Sequence, residues 1–379
     1  MCVSGKGGLA VAKYIIAGAD VHEETVLLKW SVDAGKSQRR CFQASSSGRQ
    51  AMISLLKEEA RKARADKIVV AYEACCLGFG LCDDLIEAGI ECHVLAPSRI
   101  ARSPKHRRSK TDQKDAEKIL GLLRSHLLAG EALPDVWVPD QQTRQDRIVL
   151  RRRLEVGQKR SRLKTQITML LKGAAMRRPQ GLGEGWTESY MAWLSGLCES
   201  AAGLKHGDAL VLDSMLGELQ WLDKEIAKLD LHVQTLSEGE LYAGPVRELK
   251  KLKGVGVLTA MVFLTEMGEL SRFSNRRQVA AYLGLVPSSD ESGEQSDHKG
   301  HMTKQGSWRL RKVLCQAAWA RSWSEPQEMA AHGRLVRKNP KKKKIALVAL
   351  MRRLAVRMWH EGLKAQREAG CFSRELQPV

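Results

Sequence analysis

Four carboxylates in the first third of the chain, Asp20, Glu73, Asp112 and Asp115, have the types and order of a divalent-metal site. Hard oxygen donors suit Mg²⁺, and a cluster of them can hold two ions about 4 Å apart, one activating an attacking oxygen and one stabilising the leaving oxygen of a phosphodiester. Asp112 and Asp115 are spaced i, i+3 and so share one helix face. Each acid also has a structural reading. Asp112 suits a helix N-cap, Asp115 suits the positive end of a helix dipole, and Asp20 suits the start of a turn. What favours chemistry is their joint placement at the ends of successive elements. His22 and His93 have no partner at ligand spacing, so turn and strand-end roles are expected for them.

The elements that must position these acids can be read from periodicity. Residues 13–19, 25–32 and 38–44 alternate as three short strands with turn-length gaps. A helix over 47–64, a strand over 67–72, a helix over 78–87 and a strand over 91–96 follow, and a further helix starts near Thr111. Asp20 then ends the first strand, Glu73 follows the fourth, and the aspartate pair opens the helix after the fifth. A three-strand meander followed by alternating helix and strand is the RNase H-like order, so the expected fold is α/β over residues 10–130. A helical, coiled-coil middle segment over 140–245 and a mainly α domain over 246–379 are expected to follow.

The formal net charge of +19 calls for a polyanionic partner. No apolar run approaches the roughly 18 residues of a membrane-spanning helix, and the first residues lack a signal-peptide core, so a cytoplasmic nucleic-acid protein is expected rather than a membrane one. Nine cysteines without C-x-x-C spacing suit neither a disulfide framework nor a zinc site. Arg107, Arg108 and Lys110 precede the aspartate pair as a strand-gripping loop would. Between Arg144 and Lys164, nine Lys or Arg face only Asp146 and Glu155. Arg151, Arg152, Arg153, Lys159 and Arg160 are the expected phosphate contacts there, with a solvated charged face as the alternative.

Met215, Leu219, Leu222, Ile226, Leu229 and Val233 form a heptad seam. It fits an intramolecular helical hairpin and a coiled-coil dimer equally. Trp221 within it and Trp359 further on are expected to pack rather than to stack on bases. The turn Leu252-Lys-Gly-Val-Gly-Val-Leu-Thr259 resembles a helix-hairpin-helix, in which Gly254 and Gly256 would let backbone amides approach a phosphate. A Gly/Ser-rich loop covers 287–306, and an amphipathic helix follows the basic run Arg337–Lys344.

Gly18-Ala-Asp-Val-His-Glu23, Ala71-Tyr-Glu-Ala74 and Lys110-Thr-Asp-Gln-Lys-Asp-Ala116 resemble the DEDD motifs of the insertion-sequence 110 family of transposases. Leu252–Thr259, Ala281-Tyr-Leu-Gly-Leu-Val-Pro287, Glu291-Ser-Gly293 and Met302-Thr-Lys-Gln-Gly306 resemble its C-terminal transposase domain. Tyr72–Gly80 and Leu95-Ala-Pro-Ser98 lean toward the 1111 subgroup.

The resemblance implies a RuvC-like N-terminal domain that works with a serine of the other domain, which falls by motif position on Ser292. It implies a structured guide RNA from the element that pairs with donor and target DNA, and Lys304 near nucleic acid. It also implies a homodimer assembling to a tetramer whose active sites combine the acids of one subunit with the serine of another. The loop departs from expectation after Gly293, where Glu-Gln-Ser-Asp-His is acidic for a strand-facing segment. Two other functions remain to be weighed. One is a junction-resolving, metal-dependent nuclease that uses water as nucleophile. The other is a non-catalytic nucleic-acid scaffold, which would need none of the acids.

Overall fold

The computed structural model describes residues 12–100, 112–199, 203–289, 299–338, 340, 343–368 and 370. The chain divides into two compact units, Met1–Val138 and Pro139–Val379.

In the first unit, β1 (Tyr14–Val21), β2 (Thr25–Val32) and β3 (Gln38–Gln43) form the meander. Then come α1 (Ser46–Ala63), β4 (Lys67–Glu73), α2 (Gly80–Glu87), β5 (Glu91–Leu95) and α3 (Asp112–Ala129). The sheet order is β3-β2-β1-β4-β5, with β1–β2 and β2–β3 antiparallel and β1–β4 and β4–β5 parallel. This agrees with the RNase H-like order expected from the sequence.

Strand periodicity sorts the side chains onto two faces. Ile15, Ala17, Ala19, Val70 and Tyr72 bury against Met52 and Leu56 of α1 and Leu81 and Leu85 of α2. Ile16, Val69 and Ala71 bury against Ile119, Leu120 and Leu123 of α3. A Cβ on Gly18 would lie 2.5 Å from the Leu120 nitrogen and 2.6 Å from the Ala116 oxygen, so α3 rests its backbone directly on β1 at this residue. Gly18→Ala is expected to lift α3 from the sheet, costing about 3 kcal/mol of stability. By displacing the start of α3 it should also slow strand cleavage by about 10²-fold. Thermal melts and plasmid nicking check the two effects, and a variant with wild-type values for both would show that α3 tolerates the shift.

The second unit contains α4 (Gln141–Gly173), α5 (Glu188–Glu199), α6 (His206–Glu238), α7 (Glu240–Lys250), α8 (Val257–Met267), α9 (Arg276–Tyr282), α10 (Trp308–Ser324), α11 (Pro326–Lys338) and α12 (Lys343–Glu368). It also holds one hairpin, β6 (Pro287–Ser289) with β7 (Lys299–Met302). Asp140 caps α4, accepting from the Thr143 amide at 2.8 Å. Helices α4 and α6 run antiparallel, since Arg153 pairs with Asp230 and Arg160 with Asp223.

Leu219, Leu222 and Leu229 of the seam pack with Val156, Leu163 and Ile167 of α4, so the seam is buried inside the chain as the intramolecular hairpin. Leu150, Leu154 and Val233, at the other end of the pair, join a second core built on α7, α8, α10 and α12. The two long helices therefore run through both cores of the unit Pro139–Val379. Trp359 is buried and donates to the Leu270 carbonyl at 2.9 Å, but Trp221 is 54% exposed, contrary to expectation. The heptad interval placed Trp221 close to the seam, but it turns away from α4. The seven described cysteines are free. No described helix is long and apolar enough to cross a membrane.

Candidate active site and nucleic-acid interface

The β1–β4 register pairs Ala19 with Tyr72, and one step further brings Asp20 beside Glu73 at the C-terminal edge of two parallel strands. Alternation puts both on the α3 face, because Ile16 and Gly18 precede Asp20 there, and Val69 and Ala71 precede Glu73. The direction of α3 follows from its ties to β2. Glu117 accepts from Lys29 at 2.7 Å, and Arg124 donates to the Ser31 hydroxyl at 3.1 Å and the Gly35 carbonyl at 2.7 Å. Since β2 is antiparallel to β1, α3 also runs antiparallel to β1, and its first turn, with Asp112 and Asp115, lies toward the Asp20 end.

Asp20, Glu73 and Asp115 are all partly accessible, and the Asp20 side chain is 15% exposed. The Asp112 side chain lies outside the described residues, as do Arg107, Arg108, Lys110 and Ser292. Among the described residues no three His, Cys, Asp or Glu side chains form a closed ligand cluster. The donor set is nevertheless oxygen-rich and suits a hard divalent ion.

Both histidines have partners that sequence spacing did not suggest. The His22 Nε2 lies 3.0 Å from the Asp20 carboxylate, two residues away across the strand end, and steadies it. His93 lies between two acids, with Nδ1 2.9 Å from Asp135 and Nε2 3.1 Å from Glu91. Burial alone would lower the His93 pKa, but the hydrogen bonds to Asp135 and Glu91 outweigh it and raise it from 6.5 to about 9.

A pKa raised on folding stabilises fully below the unfolded value, and the gain is lost as pH rises through the folded one. The stability gap between wild type and His93→Gln should therefore be on the order of 2 kcal/mol near pH 6, allowing for the partial exposure of both acids, and close by pH 9. A gap that does not change with pH would make His93 a packing residue only.

In the second unit the basic helix is largely committed to the protein itself. Arg151 forms a bidentate pair with Glu266 at 2.8 and 3.1 Å, Arg153 a bidentate pair with Asp230 at 2.7 and 2.9 Å, and Arg160 pairs with Asp223. Helices α6 and α8 flank α4, and their carboxylates meet these arginines, so three of the five expected phosphate contacts serve packing. Arg152 and Lys159 have no ion pair among the described residues and stay available.

Glu266 is 6% exposed, so Arg151→Ala would leave a buried carboxylate unpaired, at a cost of about 3 kcal/mol. It should leave the salt dependence of DNA binding unchanged. Arg152→Ala should do the reverse, keeping the melting temperature and lowering the salt slope by about 0.9. Melts and salt titrations of both variants decide the matter, and a flattened slope in Arg151→Ala would return it to the interface.

The expected helix-hairpin-helix turn falls between α7 and α8, and its two glycines do different work. Gly254 has φ +85°, and a Cβ there would meet the Ala317 carbonyl at 2.6 Å. Its bareness therefore serves close packing on α10 rather than a ligand. Gly256 faces open space at the start of α8.

Two other motifs interlock by backbone. A Cβ on Gly284 would strike the Gln305 carbonyl and one on Gly306 the Tyr282 carbonyl, while the Thr303 amide donates to Val286 at 2.9 Å. Arg311 ties both segments, donating to Leu283 at 3.2 Å and Gly306 at 3.1 Å. These contacts hold the base of β6 and β7, the strands between which residue 292 lies in sequence. Lys304 is exposed in the same loop, with φ +53°.

An RNase H-like sheet with acids at the ends of two parallel strands, followed by a basic helical unit, is consistent with a DNA-processing enzyme of the DEDD type. Residues 17–176 match a transposase model, the DEDD transposase of the IS110 type, and residues 246–333 match the model described as Transposase IS116/IS110/IS902 family. The chain is 31% identical to the y4rJ protein of Sinorhizobium fredii over 80% of this chain and 79% of that one. It is 26% identical to the transposase for insertion sequence element IS1533 of Leptospira borgpetersenii, over 80% and 84%. It is 25% identical to the transposase for element IS1111A of Coxiella burnetii, over 61% and 60%. The chain belongs to the IS110/IS116/IS902 family of transposases, enzymes that cut and rejoin DNA. Membership implies the use of a divalent metal.

Proposed function

We propose that this transposase excises and inserts its own element under the direction of a structured RNA, with Ser292 as nucleophile and Mg²⁺ as the ion. What supports the metal half is the β1–β4 register, which ends on Ala19 and Tyr72 and so leaves Asp20 and Glu73 as the next residues of two adjacent strands. Asp20, Glu73, Asp112 and Asp115 would hold the metal, which when bound supplies Lewis-acid stabilisation of charge on the phosphodiester oxygens. His22 keeps the Asp20 carboxylate oriented.

Support for the serine half comes from the Glu291-Ser-Gly293 motif, carried between two strands whose base is fixed by interlocked glycines. The Ser292 oxygen bonds to phosphorus, its proton leaves, and the displaced deoxyribose oxygen departs protonated. The phosphodiester energy is thereby kept in a serine–phosphate ester for rejoining. Arg152, Lys159, Lys304 and the amides at the start of α8 are the phosphate contacts this reading uses. Assembly of dimers into a tetramer would bring the serine of one subunit to the acids of another.

Sequencing the RNA that copurifies with the full-length protein tests the guide. The expected result is one dominant structured transcript from the element's own flank. Bulk cellular RNA without enrichment would contradict the guide and leave a protein-only recombinase.

A further inference from the structure

We propose that the arginine-lined cleft between α9 and α12 is a groove for the phosphate backbone of duplex DNA. Arg276 and Arg277 enter it from α9, and Arg352, Arg353, Arg357 and His360 from α12, around a cavity of about 570 Å³. Residues 353, 357 and 360 recur at i, i+4 and i+7, so they form one face of α12.

This cleft differs from the rest of the unit in how its arginines are matched. Arg151, Arg153, Arg160 and Arg309 each meet a carboxylate. Among the described residues the one carboxylate paired with a cleft arginine is Glu328, 3.5 Å from Arg353 and already 3.4 Å from Arg321. Arg276, Arg277, Arg352 and Arg357 have no carboxylate partner among the described residues. Several guanidinium groups converging in a concavity repel one another and focus positive potential into it, an arrangement that an anionic ligand relieves. Guanidinium groups are also the donors best matched to phosphate oxygens.

A single small anion would not use the whole surface. From Arg353 to His360 the helix advances about 10 Å, the axial reach of roughly three phosphates along one DNA strand. Arg357 also lines a second concavity beside the turn into α8, but there Lys253 pairs with Glu325 and Lys251 with Glu248, so the arginines without carboxylate partners are those of the cleft itself. Among the described residues that line the cleft His360 is the one ring on which an unstacked base could lie, so a run of stacked single-stranded bases finds no platform there. The cleft is therefore suited to the phosphate backbone of a paired DNA flank. The inference rests on the family's action on DNA and is independent of the guide RNA and of Ser292.

The test is fluorescence anisotropy of the full chain on a random-sequence DNA duplex across a salt series. The combined variant Arg352→Gln, Arg353→Gln, Arg357→Gln should bind about tenfold more weakly. Its slope of log affinity against log salt should be lower by about 0.9 per lost contact, up to about 2.7. Arg357→Gln alone, at an exposed position, should show about one third of that slope change and guards against misfolding of the combined variant. Lys224→Gln with Lys228→Gln on α6 removes exposed charge elsewhere and should leave the slope unchanged. The groove is overturned by an unchanged duplex slope, by an equal change in the α6 control, or by a loss confined to RNA while DNA binding persists. Absence of a serine–DNA adduct would refute the proposed mechanism and leave this result standing.

Discussion

Asp20→Asn and Glu73→Gln are each expected to lower DNA strand cleavage by at least about 10³-fold, the equivalent of several kcal/mol of lost transition-state stabilisation. Both acids sit at the edge of the sheet, partly exposed, and neither side chain belongs to the cores behind it. The amides should therefore fold normally, and melting temperatures within a few degrees of wild type are the accompanying result. Asp115→Asn divides the two readings of its position. As a metal-holding residue it loses cleavage, whereas as a helix-dipole partner it melts earlier and cleaves normally with Mg²⁺. Nicking of a supercoiled plasmid bearing the element's ends, read beside a thermal melt, gives both answers.

The second large effect is expected at Ser292. Ser292→Ala should lose strand exchange and covalent DNA attachment together, because a missing hydroxyl oxygen cannot be replaced by a neighbour. Ser288 is spoken for, since its hydroxyl donates to the His301 carbonyl at 3.0 Å within the hairpin. Ser289→Ala and Ser296→Ala should keep both activities. If active sites are shared between chains, mixing Ser292→Ala subunits with Asp20→Asn subunits should restore part of the activity, whereas each alone has none. Mixtures as inactive as their components would confine each site to one chain.

Much of the first unit was legible because strand alternation and turn-length gaps are local signals. Strand order and the acids' positions at element ends followed from these alone. Gly18, which fixes how closely α3 approaches, was not legible, because its role depends on the Ala116 and Leu120 backbone arriving from far along the chain.

The same limit applied to the basic helix. Its charge was plain, but the acids that neutralise Arg151 and Arg153 lie on α8 and α6, and only folding brings them together. The heptad seam announced that something covers it without saying what, and α4 covers it. His93 looked partnerless because Asp135 joins it from beyond α3. Arg276 and Arg277 carried no signal at all in sequence, being separated by four elements from the α12 arginines they face.

The central claim, recombination through a serine, is tested most directly with a suicide DNA substrate that blocks religation, resolved on a denaturing gel and followed by mass spectrometry of the trimmed product. The account predicts DNA covalently attached to the wild-type chain, with the phosphoester mapped to Ser292 and absent from Asp20→Asn. Free DNA ends, cut as well by Ser292→Ala as by wild type, would contradict it and make the enzyme a nuclease that uses water.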